Sequence, residues 1–428
     1  MTQMGWQYLT PQDKETILRG VRDGVAYGGP YHVEIYPADR CNIECFFCST
    51  AAIRGTDELP MTRMEELLEE LRKAGTRSIR LSGGGEPLFH RQTKAYLRAI
   101  ATSGIPIENV TTNAVLMGEE VAGLLIDAHC DQVTVSLNTG DAETYASMMK
   151  TPPRNFDRVI ANVRGLAAAR RARGTSWPKI NIQYLVWRDN YRSIPQMYTL
   201  AREIGADSIL FNGLSFLQPD QKMSVEETAE MMRLYREVVR IDEYRTITSI
   251  TSYEQDISEP LGRINAEIHE ERQRAGRFRR YRDLLLRRDF TFSQKLAHRA
   301  KMREVERVNS EVENLSEECV IGWYSLVIRT SGAAAPCCIL QGQELGNIYR
   351  QTLDEVWYGP GFAQLRRELS EIMDQGDEWV YDAGKHRYVN GQCAIGGSQA
   401  CPIRSFYYRQ DLPFMRTYNQ TVMDRRGV

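Results

Sequence analysis

From residue 31 to residue 211 the chain repeats one pattern about six times, a short strand-like run followed by a longer amphipathic one. Strand-like runs fall at 31–36, 78–81, 107–111, 132–137, 179–186 and 208–211, and helical patterns at 61–74, 91–101, 119–128, 156–172 and 191–204 lie between them. In the first helix Leu67, Leu68 and Leu71 share one face, and Gly75 supplies the stop. Crossovers of this length impose parallel strands with helices packed outside them, as an open sheet or as a barrel. The strand ends carry unusual chemistry: cysteines after the first, glycines and a glutamate after the second, Thr112 and Asn113 after the third, Asn138 and Thr139 after the fourth. Polar residues at successive C-terminal strand ends are the layout of a barrel-type active-site face.

A chain of 428 residues exceeds what one hydrophobic core usually needs. The expected division is a lead-in at 1–30, the barrel at 31–222, a helical insertion at 223–313, a cysteine-bearing module at 314–405 and a tail at 406–428. The insertion is arginine-rich over 261–313; mixed charge of this kind reads as solvated helices, and the sharper alternative is a surface for an anionic ligand or acidic partner. A formal net charge of -2 gives no reason to expect nucleic-acid binding. The N-terminus lacks a basic stretch followed by an apolar core, and no apolar run is long enough to span a bilayer, so the expected location is cytoplasmic, away from membranes.

Nine cysteines, at 41, 45, 48, 130, 319, 337, 338, 393 and 401, form two distant groups and a singleton. In a large chain without secretory features this pattern favours ligands over a disulfide framework. Cys130, alone after His129, reads as a buried small hydrophobe. Cys41, Cys45 and Cys48 follow the first strand with three and two residues between them. Three soft thiolates at this spacing suit an iron–sulfur cluster and leave one iron of a four-iron cluster open, whereas a closed zinc site takes four ligands.

The three cysteines, with Asn42 after the first and Phe47 before the third, resemble the signature of the radical S-adenosylmethionine (SAM) enzymes. The resemblance extends over roughly 31–215. Gly84, Gly85, Glu86 and Pro87 are similar to that family's glycine–glycine–glutamate–proline element, 111–114 to its third strand end and 133–138 to its fourth. An extra glycine, Gly83, and Ala114 in place of a common glycine are the departures. The resemblance implies a partial six-stranded parallel barrel and a [4Fe-4S] cluster on Cys41, Cys45 and Cys48, whose open iron chelates the amino and carboxylate groups of SAM. One electron from the cluster would then cleave SAM to methionine and a 5'-deoxyadenosyl radical, which abstracts a substrate hydrogen. Gly84 and Gly85 would let backbone approach the methionyl part, and Glu86 would fix backbone or the SAM amino group. Asn113, Ser136 and Asn138 are candidates for ribose and methionyl hydrogen bonds, and Phe47 for packing near adenine; ordinary loop architecture is the alternative for each. An external one-electron reductant such as flavodoxin or ferredoxin is implied.

In the last third, Pro336-Cys337-Cys338, Gly346-Asn347-Ile348 and 353–366 resemble the C-terminal SPASM or twitch extensions that bind auxiliary four-iron clusters. Five cysteines are too few for a full two-cluster SPASM pattern, so the resemblance assigns Cys319, Cys337, Cys393 and Cys401 to one auxiliary [4Fe-4S] cluster and leaves Cys338 over. A four-cysteine zinc site and plain buried thiols remain alternatives. The fold class expected is thus α/β, a partial (β/α)6 TIM-like barrel with a helical insertion and a SPASM/twitch-like domain. The scaffold does not fix the substrate. Only about thirty residues precede the first barrel strand, which leaves little room for a peptide-recognition domain there. The expected substrate is therefore a small polar biosynthetic molecule, sugar- or aminocyclitol-like, undergoing oxidation, dehydration or epimerisation. Modification of a ribosomal peptide or protein is the alternative, and an electron-transfer protein with two clusters is the non-enzyme reading.

Overall fold

A computed structural model describes residues 5–48, 50–51, 54–213, 223–241, 247–249, 321–337, 344–373, 380–382 and 387–390. Cys319, Cys338, Cys393, Cys401 and the arginine-rich stretch 261–313 lie outside the described residues.

The expected alternation is present. Strands β1 (His32–Ile35), β2 (Ser78–Leu81), β3 (Ile107–Thr112), β4 (Gln132–Ser136), β5 (Lys179–Val186) and β6 (Ser208–Gly213) run parallel in sequence order. Between or before them lie α1 (Pro11–Asp23), α2 (Met61–Ala74), α3 (Thr93–Ser103), α4 (Glu119–Asp127), α5 (Ala142–Met149), α6 (Arg154–Ala172) and α7 (Ile194–Glu203), and α8 (Val225–Ile241) leads to a further parallel strand, β7 (Ile247–Ser249). Helix α1 begins where Thr10-Pro11 announces it. The Thr10 hydroxyl accepts from Asp13 N–H, the Asp13 carboxylate accepts from Thr10 N–H, and Asp13 also ion-pairs with Arg77. Helix α2 buries Met64, Leu67, Leu68 and Leu71 and ends on Gly75 at φ 79°, a left-handed position suited to glycine.

Parallel sheets with helices outside are usually apolar on both faces. Here one face is apolar and the other polar. Val33, Ile79, Val133, Ile180 and Ile209 are wholly buried beneath the helices. On the alternate positions Glu34 pairs with Arg80 and Arg80 with Asn109, and Thr111, Thr134, Asn181 and Ser208 continue in register. These side chains bond across strands: Thr134 Oγ1 donates to Asn109 Oδ1 at 3.0 Å and Ser208 Oγ to Asn181 Oδ1 at 2.7 Å. The result is a polar lumen inside a partial barrel.

The second cysteine-bearing region joins this same sheet. Strand β8 (Ser325–Ile328) pairs parallel with the free side of β1, His32 against Ser325, and β9 (Ala333–Ala335) and β10 (Gly346–Asn347) follow antiparallel. The order is β10-β9-β8-β1-β2-β3-β4-β5-β6-β7, so among the described residues β10 and β7 are the two edges of the sheet. Two tryptophans fasten the added strands and the helices α9 (Leu353–Trp357) and α10 (Pro360–Met373) to the N-terminal loop: Trp323 Nε1 donates to Val25 O at 3.1 Å and Trp357 Nε1 to Gly28 O at 3.0 Å. A separate antiparallel pair comprises β11 (Val380–Asp382) and β12 (Arg387–Asn390). Among the described residues no helix is long and apolar enough to cross a membrane.

Candidate active site

The loop after β1 carries Cys41, Cys45 and Cys48, all half-buried and none in a disulfide. Three neighbours hold it. Helix α5 ends against it: Glu44 N–H donates to Met149 O and Phe46 N–H to Met148 O, both at 3.2 Å. The glycine loop after β2 lies alongside, Gly85 N–H donating to Ala38 O at 3.1 Å and Glu86 N–H to Arg40 O at 2.9 Å. From the end of β3, Asn113 Nδ2 donates to Asn42 Oδ1 at 2.7 Å and lies 3.8 Å from Cys41 Sγ.

The glycines are explained by this contact. A Cβ on Gly85 would stand 2.1 Å from Arg40 O and 2.4 Å from Asp39 O, and one on Gly84 would stand 2.7 Å from Asp39 Oδ1. The direction a side chain would take is filled by the cysteine loop. Residues Gly84 and Gly85 therefore let two backbones meet, whatever else approaches them.

Glu86 is buried and turned into the protein. Its carboxylate accepts from Leu88 N–H at 3.0 Å, Thr112 Oγ1 at 2.5 Å and Asn113 N–H at 2.7 Å. It ties the β2 end to the β3 end. Burial pushes its pKa up to about 7, against donors that favour the charged form. Asn138, at φ 63°, is also wholly buried: its Oδ1 accepts from Leu185 N–H at 2.9 Å and its carbonyl from Asn190 Nδ2 at 2.8 Å. Ser136, the last residue of β4, is half-buried on the polar lumen face opposite Gln183. Phe47 packs edge-on against Phe46, which in turn lies 4.6 Å from the Trp187 ring. Cys337 is buried just after β9.

Several neighbours of the motif have no mark in the sequence. Asp39 is buried and accepts from Thr330 Oγ1 at 2.6 Å, linking the cysteine loop to the end of β8. Thr50 donates to Gly84 O at 2.8 Å, and Arg54 reaches both loops. Asn190, beyond β5, binds the carbonyls of Asn138 and Leu185. Each is a common polar residue outside the cysteine spacing, and only the folded chain brings it near.

The donor set suits a multi-iron cluster. Burial raises the pKa of Cys41, and burial together with Cys48 and Cys41 pushes that of Cys45 up to about 12. Thiolates crowded this way repel one another, and bound iron reverses that by deprotonating them. Among the described residues no three or more His, Cys, Asp and Glu side chains converge on one point as they would for a single ion. In a four-iron cluster each cysteine takes a different iron, so such convergence is not required.

Residues 35–198 match the radical SAM superfamily, and residues 319–380 match SPASM, an iron–sulfur cluster-binding domain. The chain carries a radical SAM domain and a C-terminal SPASM-type auxiliary iron–sulfur domain. Radical SAM and SPASM domains together imply binding of SAM and iron–sulfur clusters. Relatives similar to this chain include a probable GTP 3',8-cyclase of Metallosphaera sedula, 28% identical over 174 residues, covering 40% of this chain and 51% of the relative. Another is the GTP 3',8-cyclase of Chlorobaculum tepidum, 33% identical over 137 residues, 30% of this chain and 41% of the relative. The chain thus spans about half the length of the curated relatives it matches. Among solved structures, Streptococcus suis SuiB bound to precursor peptide SuiA has the same fold at TM-score 0.56 and 18% identity, over 83% of this chain and 71% of that one. Native anSMEcpe with bound AdoMet and Cp18Cys peptide aligns at TM-score 0.51 and 14% identity, over 91% and 98%.

Proposed function

We propose that this chain is a radical SAM enzyme that modifies a peptide, abstracting hydrogen from a residue presented at the mouth of the polar lumen. The observation that carries this reading is the reach of the structural likeness. It covers 83% and 91% of the chain, well beyond the 35–198 barrel match, and the two proteins were each solved with a peptide bound. The sheet edges support it, since among the described residues β7 and β10 are unpaired on their outer sides and leave an extended chain a way in. The likeness favours the peptide alternative over the small-molecule expectation. A small polar substrate is the second reading, favoured by the Glu34, Arg80 and Asn109 row of the lumen.

In this reading Cys41, Cys45 and Cys48 hold three irons of a [4Fe-4S] cluster, and Cys319, Cys337, Cys393 and Cys401 hold an auxiliary one. A reduced cluster with an open iron supplies the electron that splits the SAM sulfonium. The protein's own work is placement. Gly84 and Gly85 set the glycine loop against the cysteine loop, Glu86 joins two strand ends beneath it, and Asn113 holds Asn42 beside Cys41. Ser136, on the lumen face, is the best placed of the expected polar contacts to meet SAM or substrate, and Phe46, Phe47 and Trp187 form an apolar wall beside the cysteines.

The test is anaerobic reconstitution with iron, sulfide and a chemical reductant, followed by SAM and either short peptides encoded beside the gene or GTP and simple sugars. The expected result is 5'-deoxyadenosine formation stimulated by one peptide, with a matching mass change in that peptide. Stimulation by a small molecule alone would overturn the peptide reading in favour of the second one. No deoxyadenosine under any condition would overturn both.

A further inference from the structure

Arg54 lies six residues beyond Cys48, outside the cysteine motif. Its guanidinium uses all three nitrogens at the junction of the two loops. Nη2 donates to Cys48 Sγ at 2.8 Å, Nε to Gly84 O at 3.3 Å and Nη1 to Ile43 O at 3.4 Å. Thr50, itself buried, donates to the same Gly84 carbonyl at 2.8 Å and stands 3.2 Å from Cys48 Sγ. The two carbonyls hold the planar fork in place, and the remaining arm ends on sulfur. Among the described residues the guanidinium bonds to carbonyls and this sulfur, with no carboxylate to cancel its charge.

We propose that Arg54 is a positioning residue for the SAM-binding cluster, donating a charge-assisted hydrogen bond to the Cys48 thiolate and raising the cluster's reduction potential. The inference rests on Cys41, Cys45 and Cys48 holding that cluster. Hydrogen bonds to the sulfurs and local net charge are main determinants of iron–sulfur potentials. Reduction adds an electron beside the sulfur, and a fixed cation stabilises the reduced form more than the oxidised one. A lysine keeps the charge but cannot hold two carbonyls and a sulfur in one plane. Through Gly84 the same side chain also couples the cluster's third ligand to the glycine loop.

The experiment uses the full chain, reconstituted anaerobically, as wild type, Arg54→Met, Arg54→Lys and a variant with all three motif cysteines changed to alanine. Iron counting comes first. If the triple variant does not lose about four irons, the cluster assignment itself fails, a result separable from any effect at Arg54. A reductive titration followed by electron paramagnetic resonance then reads the first cluster, with the triple variant's spectrum subtracted. Arg54→Met is expected to lower the reduced-to-oxidised ratio at a given potential about tenfold, which is about 59 mV for one electron, and Arg54→Lys to recover part of it. Loss of the cluster from Arg54→Met with retention in Arg54→Lys also supports the proposal, because the cation is then what Cys48 needs. A fully loaded Arg54→Met cluster with the wild-type titration curve overturns it. So does loss of the cluster from both variants in a chain that circular dichroism shows folded, which would leave Arg54 only the two carbonyls.

Discussion

Replacing Gly85 with alanine adds one methyl group, and its consequence follows from the packing. The new Cβ would sit 2.1 Å from Arg40 O and 2.4 Å from Asp39 O, distances no carbon tolerates. Both obstacles are backbone, so no rotamer change relieves them, and the loops must separate. Overpacking of this kind costs about 1–3 kcal/mol. Separation also strains the bonds from Gly85 N–H to Ala38 O at 3.1 Å and from Glu86 N–H to Arg40 O at 2.9 Å, each worth about 1 kcal/mol net. The sum is about 3–5 kcal/mol, a large share of the 5–15 kcal/mol that typically holds a domain folded. Gly165 provides the control: it lies in α6 at ordinary helical φ, exposed, with nothing near the added methyl. Gly165→Ala is expected to stabilise by about 0.5–1 kcal/mol. The assay is urea unfolding followed by circular dichroism, with iron content after reconstitution as a second readout. Gly85→Ala should lower the midpoint and lose iron from the first cluster. A Gly85→Ala protein with wild-type midpoint and full iron would refute the account of why glycine stands there.

Glu86→Gln puts an amide NH2 among three hydrogen-bond donors and is expected to cost about 1–3 kcal/mol near pH 8, read as a drop in thermal midpoint. The pH dependence is diagnostic. The folded pKa of Glu86, about 7, lies above its ordinary 4.5, so its contribution is fully present below pH 4.5 and is lost, by about 3 kcal/mol, as pH rises to about 7. The Gln variant should lack that component of the stability profile. His32 works in the opposite direction. Burial lowers its pKa from 6.5 to about 4, and although it lies 3.4 Å from Glu108 it stays neutral, held by Ser78 at 2.9 Å. Stability is therefore expected to fall by about 3 kcal/mol as pH drops from 6.5 to about 4, and a His32→Gln variant should lose that slope in a series of thermal melts. Asn190→Ala removes three bonds in a buried site, to Asn138 O at 2.8 Å, Leu185 O at 2.7 Å and from Trp187 N–H at 2.8 Å. The expected cost is about 2–4 kcal/mol, measured by urea unfolding; a change below about 0.5 kcal/mol would remove Asn190 from the account of the β5 end.

Much of the barrel was legible because its period is local. Met61–Ala74 is the helix its leucine spacing predicts, and Lys179–Val186 is the strand its alternation predicts. Helix α5, Ala142–Met149, went unseen between an asparagine-bearing strand end and the next pattern, although Asp141 caps it by accepting from Thr144 N–H. That short helix turned out to carry the carbonyls on which the cysteine loop rests. The seating of β8 was equally illegible: 323–330 reads as a strand, but its partner is almost 300 residues earlier, His32–Ile35. No local pattern encodes pairing over that distance.

By itself the sequence determined the alternation of strand and helix, the spacing of three thiols after β1, and the glycines and acid that follow β2. These depend on residue type and spacing, which are properties of the chain before it folds. Only the tertiary structure decided which way each group faces. Packing filled the side of Gly85 with Arg40, turned Glu86 inward to Asn113 and Thr112, sealed Asn138 beneath Leu185 and Asn190, and set Arg54 on Cys48. A buried donor or acceptor takes whichever partner the fold brings within reach, and that partner can be any distance away along the chain.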